Sequence, residues 1–252
     1  MHSIIFVNVF GNMAKIDKLQ SIADRHNIPL IEDAAESVGG KLNGSVSGSH
    51  GIASVFSFHR TKTITTGEGG ILLTDDDELF ERASFLRDHG RRPDGPMYYN
   101  FEVTFKYMPF NVQAAIGLAQ LERVDELVSI KQSILHQYKR NLSDFPNFQF
   151  NIETDSIVNG AWVTACCPPE GFPLNKLEFI EALKELNLPC RPFFYPLSSL
   201  PAYGSQDLST QNKVAYSVCQ RGLNLPSAMN LTSDQIDQYC EGMISIIRKY
   251  ES

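Results

Sequence analysis

The stretch SIIFVNVFGNMAKIDKLQSIADRHNIPLIED, residues 3–33, decides the fold. Its first nine residues form an apolar run that is typical of a buried strand. The following residues place apolar side chains at helical intervals, and His26, Asn27 and Pro29 then form a pattern typical of a helix C-terminus. Residues 29–33 form a short β-rich run. Strand, helix and strand in this order predict a βαβ unit, and therefore a parallel sheet that is covered on both faces.

The composition excludes several classes of function. The chain has 252 residues, 42% of them apolar, and a net charge of -7, so it offers no basic surface for nucleic acid. Its apolar runs are too short to cross a membrane, and its N-terminus does not resemble a signal peptide. The five cysteines have no CxxC spacing and are expected to be reduced thiols of a cytoplasmic protein. The six histidines show no ligand spacing, so we expect no protein-bound metal.

The remaining pattern predicts two domains. Further strands are predicted over residues 52–58 and 69–76, and one long helix is predicted over residues 111–142. The character of the sequence changes near residues 143–150, where short strands begin to dominate. We therefore predict a larger α/β domain over residues 1–140 and a smaller α+β domain over residues 141–252. Thr232 and Gln235 form a capping box that should open the last helix.

Polar side chains follow two strands that are predicted to be neighbours. Asp33 ends one strand, and Ser57 and Lys62 follow the next. Taken alone, Asp33 is better explained as a cap of the next segment or as a residue that holds a metal-bound phosphate, and Lys62 has the alternative interpretation of a solvated surface lysine. Together they supply what pyridoxal phosphate needs at the carboxyl ends of parallel strands: an amine for a Schiff base, an acid for the ring nitrogen and a hydroxyl for the phosphate.

Four motifs then give a resemblance to a known family. They are IEDAAESVGG (31–40), SFHRTKTITTGEGG (57–70), VQAAIGLAQLERVDEL (112–127) and RGLNLPS (221–227). In this order they closely resemble the DegT/DnrJ/EryC1/StrS family of sugar aminotransferases, which are fold type I pyridoxal-phosphate enzymes. The resemblance implies the α/β fold class: a partial large domain of the PLP-transferase type with a mostly parallel sheet, plus a smaller C-terminal α+β domain. It also implies a homodimer with its sites at the interface.

The resemblance assigns roles to individual residues. Lys62 would form the Schiff base with pyridoxal phosphate and move the proton during catalysis. Asp33 would bind the ring nitrogen, and Ser57 would bind the phosphate. Glu36, where many family members have glutamine, would lie near the ring hydroxyl. Ala35 would pack on the face of the ring.

Lys106 has two interpretations. It stands where the family often has an asparagine that reaches the phosphate of the neighbouring subunit. A lysine would do the same work as a point charge, or it would be a solvated surface lysine. Glu68, in the turn that follows Lys62, is expected to orient that loop through backbone contacts, whereas no role is assigned to His59 and Arg60.

The resemblance implies a transamination. The amino group would pass from an amino acid, L-glutamate, to a keto carbon of a nucleotide-linked 4-keto-6-deoxy sugar for polysaccharide synthesis. Two alternatives remain open. One alternative is a sugar 3-dehydratase. The dehydratases of the family carry histidine in place of Lys62, so the lysine favours transamination. A catalytically incomplete fragment or a non-catalytic partner subunit is the other alternative.

The sequence matches the family from the middle of its large domain onwards. The preceding family segment supplies early sheet strands, a phosphate-binding turn and an aromatic residue that stacks on the cofactor ring. We expect the strand edges and apolar faces that this segment would cover to be exposed here, whether the chain is a fragment or a natural short form. We also expect it to bind the cofactor weakly.

Overall fold

The structure is a computed structural model that describes residues 2–203 and 208–251. The chain divides into two compact units. The first unit holds Met1–Val128 and Thr154–Gly160, and the second holds Ser129–Glu153 and Ala161–Ser252. The division therefore comes earlier in the chain than residue 140, and a short later segment returns to the first unit.

Short strands and seven α-helices within the described residues build the two units. The strands are β1 (Ile4–Val7), β2 (Leu30–Asp33), β3 (Lys41–Leu42), β4 (Ser45–Val46), β5 (Ala53–Ser57), β6 (Gly70–Leu73), β7 (Gln149–Phe150), β8 (Ile157–Val158), β9 (Thr164–Cys167), β10 (Arg191–Pro192) and β11 (Leu223–Leu225). The helices are α1 (Ile16–His26), α2 (Asp77–Arg87), α3 (Asn111–Leu121), α4 (Val124–Asn141), α5 (Lys176–Glu185), α6 (Lys213–Arg221) and α7 (Ser233–Glu251). No helix among these is long and apolar enough to cross a membrane.

The first unit contains the predicted parallel sheet. Its strands lie in the order β1-β2-β5-β6, where β1, β2 and β5 are parallel and β6 is antiparallel to β5. The register pairs Asp33 with Val7 on one side and with Val55 on the other. The carboxyl ends of three parallel strands therefore meet at one edge of the sheet. A smaller antiparallel sheet, β4-β3-β8, belongs to the same unit.

Helix α1 connects β1 to β2 as the sequence predicts. Its buried Ile16 and Ala23 belong to a core that also contains Phe6 and Leu30 from the strands. Asn27 ends the helix in the left-handed conformation with φ 50°. The position of an amphipathic helix with such a C-terminus can be predicted from neighbouring residues alone, and the βαβ prediction is confirmed.

Strand β1 is incompletely covered. It lies at one edge of the four-stranded sheet, and its Ile5 and Val7 are 64% and 47% exposed. At the opposite edge, no residue of β6 is buried. The βαβ pattern by itself predicts a sheet that is covered on both faces, and that prediction is wrong for β1 in the described chain. The exposed side chains instead agree with the expectation that the faces which the preceding family segment would cover are exposed.

The predicted long helix over residues 111–142 is also wrong, because the structure contains two helices. They are separated at residues 122–123. Helix α3 is apolar in sequence but buries none of its residues. Helix α4 instead buries apolar side chains, among them Leu135 and Tyr138. Glu122 and Arg123 are good helix formers, so no local signal in the sequence predicts the break.

The second unit is built around an antiparallel sheet in the order β10-β11-β9-β7. Its core joins this sheet to α4, α5 and α7 through fully buried side chains such as Phe179, Leu223 and Met243. The predicted capping box is confirmed. Gln235 N donates to Thr232 Oγ1 at 3.2 Å, and Thr232 N donates to Gln235 Oε1 at 3.0 Å.

Candidate functional site

Glu36 is the residue at which the loops after three parallel strands meet. It lies in the loop after β2, and its Oε1 accepts a hydrogen bond from Lys62 Nζ, in the loop after β5, at 3.1 Å. Its Oε2 accepts from Phe10 N, in the turn after β1, at 2.9 Å. The Lys62 and Glu36 side chains are only 12% and 11% exposed. The structure thus forms a shielded ion pair at the carboxyl edge of the sheet.

Asp33 ends β2 at the same edge. Its Oδ1 accepts a hydrogen bond from Ala35 N at 3.1 Å, which orients the carboxylate. Within the described residues no donor bonds to Asp33 Oδ2, and the side chain is partly accessible. One oxygen is therefore fixed by the protein, and the other is free to accept a bond from a ligand.

Ser57 ends β5 and begins the loop that holds Lys62. Its Oγ accepts a hydrogen bond from His59 N at 3.2 Å, and Lys62 N donates to His59 O at 2.9 Å. These bonds form a compact turn between the strand end and the lysine. In the described part of the chain the Ser57 hydroxyl proton has no acceptor, so the group is able to donate to an anion.

The loop over residues 58–69, which carries Lys62 and is called the lysine loop below, is held at its other end by helix α3. The Gln120 side chain bonds to Thr65 twice: Thr65 N donates to its Oε1 at 3.1 Å, and its Nε2 donates to Thr65 O. A Cβ at Gly117 would lie 3.0 Å from Thr66 Cγ2, so glycine permits the close approach of helix and loop. These contacts give α3 a structural role even though it buries none of its residues.

Glu68 contributes to the same loop through its backbone. Its carbonyl accepts hydrogen bonds from Thr66 Oγ1 at 2.7 Å and from Gln113 Nε2 at 3.0 Å. Its carboxylate lies 3.6 Å from His59 Nε2. The orienting role that was expected for Glu68 therefore resides in the main chain, whereas the exposed carboxylate makes only a long contact.

Glu32 is a further polar residue of this region, and it was not predicted from the sequence. This carboxylate is fully buried on β2 and faces away from Asp33, because adjacent residues of a strand alternate sides. Four donors lie around it: Asn8 Nδ2 at 2.8 Å, Ser47 Oγ at 3.0 Å, Gly48 N at 2.9 Å and His50 N at 3.1 Å. Such bonds compensate for the loss of water around a buried carboxylate. A glutamate at the apolar-facing position of a buried strand was the available signal.

Lys106 is not part of the Glu36 ion pair. It lies in the irregular segment between α2 and α3, where its Nζ is 3.3 Å from Asp88 Oδ1. Both side chains are substantially exposed, at 51% and 39%. The structure thus gives Lys106 a surface ion pair at the end of α2.

The residues at the sheet edge fit pyridoxal phosphate. This cofactor carries an aldehyde, a pyridine nitrogen and a phosphate. Lys62 offers a shielded amine, Asp33 Oδ2 offers an acceptor for a protonated ring nitrogen, and the Ser57 hydroxyl offers a donor for the phosphate. The set supplies one group of suitable chemistry for each part of the cofactor.

Comparison with known proteins identifies the family. The sequence pattern of the DegT/DnrJ/EryC1/StrS aminotransferase family matches residues 1–244. The chain belongs to this family. The family member described here is 34% identical over 238 residues to GDP-perosamine synthase of Vibrio cholerae, and the match covers 94% of this chain and 64% of that protein.

Two further proteins extend the comparison of this DegT/DnrJ/EryC1/StrS chain. The putative pyridoxal phosphate-dependent aminotransferase EpsN of Bacillus subtilis is 34% identical over 253 residues, with 99% of this chain and 64% of EpsN covered. The solved structure of Helicobacter pylori PseC, an aminotransferase of pseudoaminic acid biosynthesis, superposes with a TM-score of 0.91 at 22% identity. That match covers 99% of this chain and 68% of PseC, and it shows the shared fold. The chain spans 64% of the length of the synthase and of EpsN.

Proposed function

We propose that this chain acts in a pyridoxal-phosphate-dependent transfer of an amino group from L-glutamate to the keto carbon of a nucleotide-linked 4-keto-6-deoxy sugar. The observation that supports this most directly is the shielded Lys62–Glu36 pair at the carboxyl edge of the parallel sheet. Family membership supports the reaction type, and the name of the Vibrio cholerae relative supports a nucleotide sugar as substrate.

The cofactor, when bound, would supply an electron sink for the pair of electrons that remains when a substrate carbon loses its proton. Lys62 Nζ would bond to the cofactor and then move that proton between carbon atoms. Asp33 would accept a hydrogen bond from the ring nitrogen and keep it protonated. Ser57 would donate to the phosphate, and Ala35 would pack against the ring.

Glu36 would position the amine. Its carboxylate is held by Phe10 N at 2.9 Å, so it presents Oε1 to Lys62 Nζ at a fixed place. When Lys62 is free of the cofactor, this ion pair would keep the amine at the sheet edge. Glu36 would also lie close to the ring hydroxyl, as the family resemblance implies.

The assembly would be a homodimer with shared sites. Lys106 would then contact the cofactor phosphate of the neighbouring subunit as a point charge. Its present partner is the exposed Asp88, and a surface pair of this kind is easily exchanged. An anion of higher charge would compete for the same amine.

A second candidate function is that of a non-catalytic partner subunit. The exposed Ile5 and Val7 of β1 favour it, because an uncovered apolar strand at a sheet edge is a place where another polypeptide can bind. The sugar 3-dehydratase alternative has less support, since Lys62 occupies the position at which those enzymes have histidine.

Reductive trapping tests the proposal. The purified chain is incubated with pyridoxal phosphate, reduced with borohydride and mapped by mass spectrometry. We expect a pyridoxyl group on Lys62, no such group on that position in Lys62→Ala, and unchanged labelling in the control Lys18→Ala, which alters an exposed lysine of α1. Equal labelling of Lys18 and Lys62 would refute the selective role of Lys62, whereas a folded protein whose Lys62 stays unlabelled would favour the alternative of a catalytically incomplete fragment.

A further inference from the structure

The second unit contains a buried amine next to a buried thiol. Lys176 is the first residue of α5, and its Nζ lies 3.2 Å from Sγ of Cys219 in α6. Each residue is only 6% exposed. The pair takes no part in the function proposed above.

The surroundings of Lys176 leave the thiol as its hydrogen-bonding partner. No carboxylate of the described residues forms an ion pair with Lys176. The amine also lies in the first turn of a helix, where the helix dipole disfavours positive charge. Its other close neighbour is the ring of Tyr195, whose centroid is 4.1 Å from Nζ. The amine and the thiol are therefore in direct contact along the N···S hydrogen bond.

Burial determines the behaviour of the other four cysteines. Burial raises the pKa of Cys190 and of Cys240 to about 11, and it raises the pKa of Cys166 well above its usual range. Burial also raises the pKa of Cys167. Among the residues that the structure describes, no lysine amine bonds to any of these four thiols. Because the thiolate is the form that reacts with oxidants, these four positions are protected by their surroundings.

We propose that Lys176 and Cys219 form an oxidation-sensitive amine–thiol pair that hydrogen peroxide converts into a covalent S–N cross-link. Hydrogen peroxide is small enough to reach a thiol of this exposure through local fluctuations. The class of reaction is known for sulfenic acids, which condense with a nearby nitrogen. Here the nitrogen is a side-chain amine that is already in hydrogen-bond contact with the sulfur.

The first step oxidises the sulfur. The Cys219 sulfur attacks one peroxide oxygen, an S–O bond forms and the O–O bond breaks. The leaving hydroxide takes the proton that lies in the N···S hydrogen bond and departs as water. Cys219 becomes a sulfenic acid, and Lys176 is left as a neutral amine with a free electron pair next to an electrophilic sulfur.

The second step closes the cross-link. The Lys176 nitrogen attacks the sulfur, an S–N bond forms and the S–O bond breaks. Hydroxide leaves with one amine proton as a second water. The sulfur has lost two electrons in total and the peroxide has gained them. Two equivalents of an external thiol would reverse the change, giving back the amine, the Cys219 thiol and one disulfide of the reagent. The bond would tie the start of α5 to α6.

Peptide mapping tests the proposal. The folded chain is treated with hydrogen peroxide, alkylated under denaturing conditions and digested with trypsin. We expect the peptides containing Lys176 and Cys219 to be joined, lighter by two hydrogens than their sum, with no cleavage after Lys176. The five titratable thiols should fall to four and return to five after treatment with dithiothreitol.

Matched variants make the result specific. Lys176→Arg keeps a cation of similar length but a poor nucleophile, so the joined peptide should fall at least tenfold, and Cys219→Ser should abolish it. Lys184→Arg alters an exposed lysine of the same helix and should leave it unchanged. The proposal is overturned if folded protein yields Cys219 as an unmodified thiol or as a sulfinic or sulfonic acid while Lys176 stays free. A joined peptide that persists in Lys176→Arg also overturns it.

Discussion

Lys62 and Glu36 are 26 residues apart in sequence, yet their side chains form an ion pair of 3.1 Å that is almost closed to water. The pair connects the loop after β5 to the loop after β2. Because Phe10 N bonds to the same carboxylate, the loop after β1 is included as well. The position of the proposed catalytic amine thus depends on three loops at once.

Removal of the Glu36 carboxylate should therefore destabilise the first unit. Glu36→Ala leaves the Lys62 amine and the Phe10 amide without their acceptor, and we expect the free energy of unfolding to fall by roughly 2–3 kcal/mol. Urea denaturation measures this. The control Glu126→Ala breaks the exposed pair with Arg123 and should leave the denaturation midpoint unchanged. An equal midpoint for both variants would contradict the buried role of Glu36.

Glu32 should be among the polar residues whose loss costs most. Glu32→Ala leaves four donors without an acceptor inside the protein, so we expect a loss of about 3–5 kcal/mol in the free energy of unfolding. Glu32→Gln keeps the size but turns an amide donor toward existing donors, and it should cost less than the alanine variant. Urea denaturation of both variants is the measurement. A loss below about 1 kcal/mol for Glu32→Ala would show that the donors find water.

Gln120 should control the opening of the lysine loop. Gln120→Ala removes both bonds to the Thr65 backbone, and hydrogen exchange of the Thr65 amide should accelerate by roughly 10–100-fold. The control Gln20→Ala removes an exposed contact with Asp24 on α1 and should not alter that amide. Unchanged exchange in Gln120→Ala would mean that other contacts hold the loop.

Lys131 should make stability depend on pH in alkaline solution. It lies on α4 with its Nζ 2.5 Å from Ser227 O, and burial lowers its pKa from 10.5 to about 8. Between these values the unfolded chain keeps the proton that the folded chain has lost. The free energy of unfolding contributed by this group therefore rises with pH, by about 3 kcal/mol in total.

The comparison with Lys131→Met isolates this effect. Buried cysteines and tyrosines have raised pKa values and act in the opposite direction above their usual pKa, but they are common to both proteins. The difference in stability between wild type and variant should shift in favour of the wild type as the pH rises from about 8 to about 10.5. A difference that is constant across this range would show that Lys131 titrates normally.

Local signals in the sequence were sufficient for the βαβ unit and for part of the site. The spacing of Ile16 and Ala23 and the ending at Asn27 predict α1 without knowledge of the rest of the chain. The placement of Asp33 and Lys62 at one site could be predicted because the carboxyl ends of parallel strands converge at one edge of a sheet. The family resemblance then added Glu36, whose ion pair with Lys62 only the structure shows.

Other features depend on tertiary contacts and were not predictable. The break between α3 and α4 occurs at residues with good helix propensity, so periodicity gives no warning of it. Phe10 has a φ of 57°, a conformation that an aromatic residue rarely adopts, and its amide donates to Glu36 from that turn. No pattern in the sequence predicts this left-handed conformation for a phenylalanine.

The two adjacent acids of β2 point to opposite faces of the sheet, and the two faces are chemically different. Glu32 is enclosed by protein donors on one side, and Asp33 is accessible on the other. A shift of pairing by one residue would turn Asp33 inward and Glu32 outward, because alternation reverses both side chains together. A misaligned sheet would thus place the longer Glu32 side chain on the ligand side. It would also place the shorter Asp33 carboxylate among the four donors, where it could not reach all of them. The hydrogen bonds to Glu32 therefore stabilise the native register, and they disfavour a shifted sheet in which an acid of the wrong length would face the ligand.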